Sequence, residues 1–262
     1  MVNGIYVDPR VTFTRAGTRT YYGQGMVKAE ENLLIPSADL TQAAYIKTRV
    51  TTPDANTIVE TIESGAHNVA QTTSVTSGQA YTKTITLKKG LLASAPDIMQ
   101  LFLGTAGFGA TQYANVNVLT GAVELTAGGA TWTSEADSIE AGAWRFTYTA
   151  TATATATAGI VVGFCQNNAA AARAPSYIGL TTSDCKVYRM QLEQRSFATA
   201  YTATTTQAIT NYNRLLKTAA ANEWPREFDP VTGECLGRGV WEARTNLVLR
   251  SEEFDNAAWT KT

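Results

Sequence analysis

The sequence predicts an all-β protein: an antiparallel β-sandwich of the jelly-roll kind, with an extended N-terminal segment and an extended C-terminal connector. Three observations predict it. The stretch "WRFTYTATATATATAG" (Trp144–Gly159) alternates with a period of two, the spacing of a half-buried strand. A long series of short runs rich in β-branched and aromatic residues is punctuated by Gly, Ser, Asn, Asp and Pro, as in sandwiches and barrels. Charged residues make up only 16% of the 262-residue chain, below the roughly 25% of an average soluble protein. Thr, Ala and Ser take their place, so the surface is rich in hydroxyl groups.

In Trp144–Ala152 the even positions Trp144, Phe146, Tyr148, Ala150 and Ala152 share one face. The odd positions Arg145, Thr147, Thr149 and Thr151 share the other. The aromatic triplet is expected in the core. The alanines belong where the sheet approaches something closely or curls over. The threonine face meets solvent or a partner subunit, and a turn follows Ala152. Strands are predicted at "NTIVETI" (Asn56–Ile62), "AYTKTITLKKG" (Ala80–Gly90), "DIMQLFLG" (Asp97–Gly104) and "YANVNVLTG" (Tyr113–Gly121). Further strands are predicted at "GIVVGFC" (Gly159–Cys165) and "CKVYRMQLE" (Cys185–Glu193). Pro96 and Asp97 would also suit the first turn of a short helix. Residues 1–31 are turn-rich and read as an anchoring segment ahead of a sandwich over 32–200. Residues 201–241 read as an extended connector leaving the domain, with a tight turn at "DPVTG" (Asp229–Gly233).

The chain repeats itself. Tyr22–Thr48 aligns without gaps on Leu236–Thr262, and ten of the 27 positions are identical, among them Asn32/Asn246, Leu33/Leu247, Ser37/Ser251 and Lys47/Lys261. The first copy opens the sandwich. The second, over 242–262, reads as the opening of another module. An opening segment alone has no sheet against which to bury Phe254 and Trp259. It is expected to dock on another chain or, preferably, to continue beyond Thr262 as a tandem array.

Chemistry is sparse. Net charge is −1 (21 basic, 22 acidic residues), which gives no electrostatic case for nucleic acid or an anionic membrane. No apolar run is long enough to span a bilayer, and "MVNGIYVDPR" lacks the pattern of a signal peptide. Assembly in a cytoplasm is the expectation. Cys165, Cys185 and Cys235 lack metal-ligand spacing and read as buried free thiols, although Cys165 and Cys185 lie in strands that could meet. His67, the single histidine, is expected at the surface or a strand end. No metal, cofactor or catalytic residue is predicted. The adjacent acids of "EENLL" and "SEEF" read as solvated pairs, and the Gly-rich "YGQGMVK" and "GTAGFGA" as turns. Sugar faces stack on flat rings, so Trp132, Tyr113 and Tyr177 are the candidate ligand contacts. An intersubunit role would suit them equally.

The motifs "DPVTGECLG" and "EARTNLVLRSEEFDNAAWTKT", with "TSGQAYTKTITLKKG", "AGAWRFTYTATATAT" and "VYRMQLEQRSFATAYTATTTQAIT" in order between the two openings, resemble a module of tailed-bacteriophage fibre, spike and head-fibre proteins. "TAYTATTT" departs from the usual Y-I-P-T-T, Gln194 replaces a small residue, and Tyr45 stands where the module has Trp. The resemblance implies a carbohydrate-binding-module-like jelly roll in the virion, assembled as a homo-oligomer, with a trimer expected. It further implies capsid, portal, adaptor or tail proteins as partners. A structural anchoring module is the first expectation. A receptor module for host-surface glycan and a capsid decoration protein are the alternatives. A receptor module should carry a wet groove lined with rings and hydroxyl groups.

Overall fold

The structure, a computed structural model, describes residues 19–109, 112–128, 131–165, 171–232 and 234–238. In chain order its strands are β1 (Arg19–Asn32), β2 (Ile46–Thr48), β3 (Val50–Asp54), β4 (Thr57–Glu60), β5 (Ser64–Gly65), β6 (Asn68–Val75), β7 (Ala80–Lys89), β8 (Ile98–Leu103), β9 (Tyr113–Asn117), β10 (Val123–Ala127), β11 (Thr131–Ala136), β12 (Trp144–Thr151), β13 (Ala156–Phe164), β14 (Tyr177–Ile178), β15 (Asp184–Glu193), β16 (Ile209–Ala219), β17 (Arg226–Phe228) and β18 (Cys235–Arg238). One short helix, α1 (Thr105–Phe108), follows β8. The Pro96–Asp97 segment therefore leads into a strand.

Ala29–Asn211 forms one compact unit. Its two six-stranded sheets run β10-β9-β8-β13-β6-β2 and β11-β12-β7-β15-β4-β3. Take β4, β6, β7, β8, β9, β12, β13 and β15 in order. The first pairs with the last, the second with the seventh, the third with the sixth and the fourth with the fifth. Successive pairs alternate between sheets, and every pairing is antiparallel, which is the jelly-roll topology. β10 and β11 are inserted between the fifth and sixth of these strands, and β2 and β3 extend the edges.

One core lies between the sheets. Val69, Met99, Leu101, Val116, Ile160 and Val162 come from one sheet, and Ile58, Ile85, Leu87, Phe146, Tyr148 and Leu192 from the other. In β12 the even positions Phe146, Tyr148 and Ala150 are buried, as the alternation predicts. The alanine and threonine run curls over the end of the sandwich. Thr153 N donates to Gly107 O at 2.8 Å and Gly78 N to Ala152 O at 2.8 Å. Ala152 and Ala158 are buried there, beside the site where a Cβ on Gly107 would lie 2.9 Å from that of Ala158. Larger side chains would push α1 off the end. The next strand begins at Ala156, three residues before the predicted "GIVVGFC".

Lys83 is out of keeping with this core. It sits on the inward face of β7 opposite Tyr148, is 1% exposed, and donates from Nζ to Val161 O at 2.7 Å on the other sheet. Burial lowers its pKa from 10.5 to about 7, because desolvation penalises the ammonium.

The remaining unit, in its described part, spans residues 19–28, 212–232 and 234–238. β1 is a 14-residue strand paired with β16 in a two-stranded sheet. Residues 19–31 are thus strand where the sequence suggested turns, and the predicted connector from 201 is a paired strand over much of its length. A two-strand partnership spanning most of the chain leaves no local signature. The predicted turn at Asp229 is present: Oδ1 accepts the Val231 and Thr232 amides at 2.8 and 2.7 Å, and joins β17 to β18. Positions 239–262, with most of the second repeat, lie outside the described residues, as do 1–18.

Lys83 makes stability depend on pH. Between its folded and unfolded pKa values the unfolded chain binds the extra proton, so stability rises as pH climbs from about 7 towards 10. Lys83→Met should flatten that rise and stabilise the protein at pH 6 by a few kcal/mol. Thermal unfolding of both proteins between pH 6 and 9 checks this. A wild-type midpoint that does not rise with pH contradicts it.

Candidate functional site

The outward face of the β12-β7-β15 sheet is not left to solvent. Residues 194–204, after β15, fold back across it as a strap. Gln191 and Glu193 point outward from β15 and are fully buried beneath it. Gln191 accepts the Thr202 amide at 2.7 Å and donates to Ala200 O at 3.2 Å. Glu193 accepts the Thr199 amide at 3.0 Å and its hydroxyl at 2.6 Å. Thr82 donates to Arg195 O at 2.8 Å, and Arg145 to Thr199 O at 2.7 Å. The threonine face therefore meets the chain's own strap, a third possibility beside solvent and a partner subunit. The other sheet is treated alike. Gln100 bonds Asn115, Ala172 O and the Ala174 amide, and Arg173 lies 4.3 Å over the Phe102 ring.

A β-bulge in β15 sets what the strap leaves open. Register shifts between Val187 and Met190, so Cys185 and Val187 point into the core on one parity and Met190 and Leu192 on the other. Strict alternation would send Arg189 inward with Val187. The bulge places it outward beside Gln191, as bulges commonly re-aim a side chain.

Between the strap and the loop after β11 lies a pocket of about 260 Å³. Thr84, Thr86, Glu135, Arg145 and Arg189 come from the sheet, Asp137 and Ser138 from the loop after β11, and Ala200 and Tyr201 from the strap. Asp137 is the fixed charge. Its Oδ1 accepts the Ile139 and Glu140 amides at 2.9 and 2.7 Å and Arg189 Nη2 at 2.5 Å, and its Oδ2 accepts the Thr86 hydroxyl at 3.0 Å. Burial pushes its pKa up, but the Glu140 and Ile139 amides, with Thr86 and Arg189, outweigh it and hold the carboxyl below its usual range. Arg145 meets Glu135 at 3.1 Å. The Tyr201 hydroxyl is engaged by Ser37 Oγ at 2.6 Å.

The three aromatic candidates are elsewhere, and in three different places. Trp132 is in strand β11 rather than a loop, stacked on core Tyr148 at 4.1 Å and 2°. Tyr113, in β9, is 6% exposed and packs with Phe102 and Val161; a ligand could not stack on it as it stands. Tyr177, in β14, lines a second pocket with Cys165, Ser94 and Leu180, but its hydroxyl donates to Glu60. His67 stands at the start of β6 and is buried, not at the surface. Its Nε2 meets Glu63 O at 3.1 Å and its Nδ1 faces Glu60 at 3.9 Å. A Cβ on Gly179 would lie 2.5 Å from His67 Nε2, so the cluster seats the 177–183 loop. Cys165 and Cys185 are buried and form no disulfide with each other, while Cys235 is exposed, against the expectation of three buried thiols. Among the described residues no cluster of His, Cys, Asp or Glu could hold a metal ion, and no helix is long and apolar enough to cross a membrane.

Sequence reasoning missed Arg189, Asp137 and Tyr201. Arg145 on the threonine face was the one legible signal of a charged outer pocket. The strap itself is testable. Gln191→Ala leaves the Thr202 amide without its partner, so stability should fall by about 1–3 kcal/mol, and trypsin should cut after Arg195 faster than in the parent. Unchanged cleavage would contradict the strap's dependence on Gln191. In comparison with known proteins, no family model and no curated protein matches the chain.

Proposed function

We propose that this chain is a non-enzymatic structural protein of a bacteriophage virion, the particle-proximal part of a tail or head fibre or spike. The jelly roll acts as an anchoring and assembly module. The observation that carries this reading is the identity of the repeated residues. Asn32, Leu33 and Ser37 recur as Asn246, Leu247 and Ser251. In the first copy they are the groups that bind the opening of the module to its close: Leu33 N donates to Leu192 O at 2.9 Å, and Met190 N to Ser37 O at 2.9 Å. A sequence that repeats this clasp repeats the means of building one module after another, as an extended appendage requires. The N-terminal segment would hold the particle, through capsid, portal, adaptor or tail proteins. Copies of the chain would associate, as a trimer by resemblance to phage fibres.

Purified particles test the reading. Antibody raised against residues 29–211 should label the base of an appendage by immunogold microscopy, and denaturing mass spectrometry should find the chain in the particle. Its absence from particles by both methods would overturn the proposal.

A further inference from the structure

The pocket beneath the strap holds four charged groups that are unequally anchored. Two guanidinium groups, Arg145 and Arg189, line it, and each is held in place from behind. Arg189 is fixed by Asp137 and Arg145 by Thr199 O. Asp137 is itself committed to two backbone amides and Thr86. Among the described residues Arg145 pairs with Glu135, whose side chain is 64% exposed. An exposed pair of that kind is worth about 0–1 kcal/mol and is screened by salt. The lining therefore carries two guanidinium groups and two carboxylates, and of the carboxylates Glu135 is the exposed, loosely held one that a ligand can displace.

The rest of the lining is hydroxylated. Thr84 and Thr86 line the pocket from β7, the Thr86 hydroxyl donating to Asp137 and so able only to accept, and Ser138 lines it from the loop. Tyr201 has its own hydroxyl tied to Ser37, so it offers the pocket ring surface. A volume of about 260 Å³ lies below the roughly 300–1,000 Å³ of drug-sized sites, and suits a single sugar ring.

We propose that this pocket binds one carboxylate-bearing saccharide unit, the carboxylate on Arg145 and Arg189 and the ring hydroxyls on Thr84, Thr86 and Ser138. Guanidinium forks match a carboxylate in geometry as well as charge. Glu135 is displaced when the ligand's carboxylate enters. The inference adds a binding activity to the structural reading and does not depend on it, since a virion module without a ligand would still anchor a fibre.

Isothermal titration or ligand-observed NMR of the full chain, with D-glucuronate, D-glucose, acetate and a short acidic peptide as probes, tests it. Glucuronate should bind at least about tenfold more tightly than glucose or acetate, a difference of about 1.4 kcal/mol, and more tightly than the peptide. Arg145→Gln should weaken glucuronate at least about tenfold. Glu135→Gln should tighten it by up to about fivefold, an effect that loss of folding cannot imitate. Equal binding of glucuronate and glucose, or no binding of either, would overturn the proposal. So would acetate matching glucuronate, stronger binding of the peptide, or an Arg145→Gln protein that binds as the parent does.

Discussion

The sandwich depends on the side-chain amide of Asn32. Its Nδ2 donates to Met190 O at 3.1 Å and Thr202 O at 2.8 Å. Its Oδ1 accepts the Leu34 amide at 3.1 Å and the Leu192 amide at 3.3 Å. Two donors and two acceptor positions are all that an asparagine has, and all are used on backbone, three of the four bonds being buried. One residue thus fastens the opening segment, the closing strand and the strap, groups up to 170 positions apart. Ser37 extends the stitch: its amide donates to Thr204 O at 3.2 Å and its hydroxyl accepts the Thr204 amide at 2.9 Å. With these bonds made, Leu34, Leu40 and Tyr45 fall into the core. Without them the end of the sandwich would open onto water.

The same closure makes the pocket. Because the opening segment pins Thr202 and Thr204, the strap is drawn across the outer face and Tyr201 is brought to its place beside Ser37. The bulge in β15 then supplies Arg189 to the same face. Stability and the pocket share one cause: polar side chains on the outside of a sheet, buried by the chain's own return. Buried polar groups of this kind are costly unless satisfied, and Gln191, Glu193 and Gln100 are satisfied by strap and loop backbone.

What could be read in the sequence was what is local. The period of two in Trp144–Thr151 has the predicted parity. The Asp229 turn is where Pro and Asp indicated. β6 was not read, because "NVAQTTSV" has too few apolar residues; it is a central strand paired with β13 and β2. The outward position of Arg189 was hidden, since a bulge has no residue signature of its own and reverses the parity of everything after it. Lys83 stands at the inward parity of Tyr81, Ile85 and Leu87, and pattern alone gives no reason to bury an ammonium. Trp132 looked like a loop ring because Gly128 precedes it, yet β12 beside it provides Tyr148 for stacking. Trp132 and Tyr113 are held in packing for one reason. Rings in a sandwich are wanted first by the core, and the accessible chemistry was left to arginine, threonine and serine.

The most direct test of the closure is the stability of Asn32→Asp, measured by denaturant unfolding of the full chain at neutral pH. The substitution keeps the shape and replaces two donors by an acceptor-only carboxylate, stranding Met190 O and Thr202 O and burying a charge. The account predicts a loss of several kcal/mol, on the order of half of a typical domain's total of about 5–15. A loss within about 0.5 kcal/mol, as for an ordinary surface substitution, would show that Asn32 does not hold the module closed.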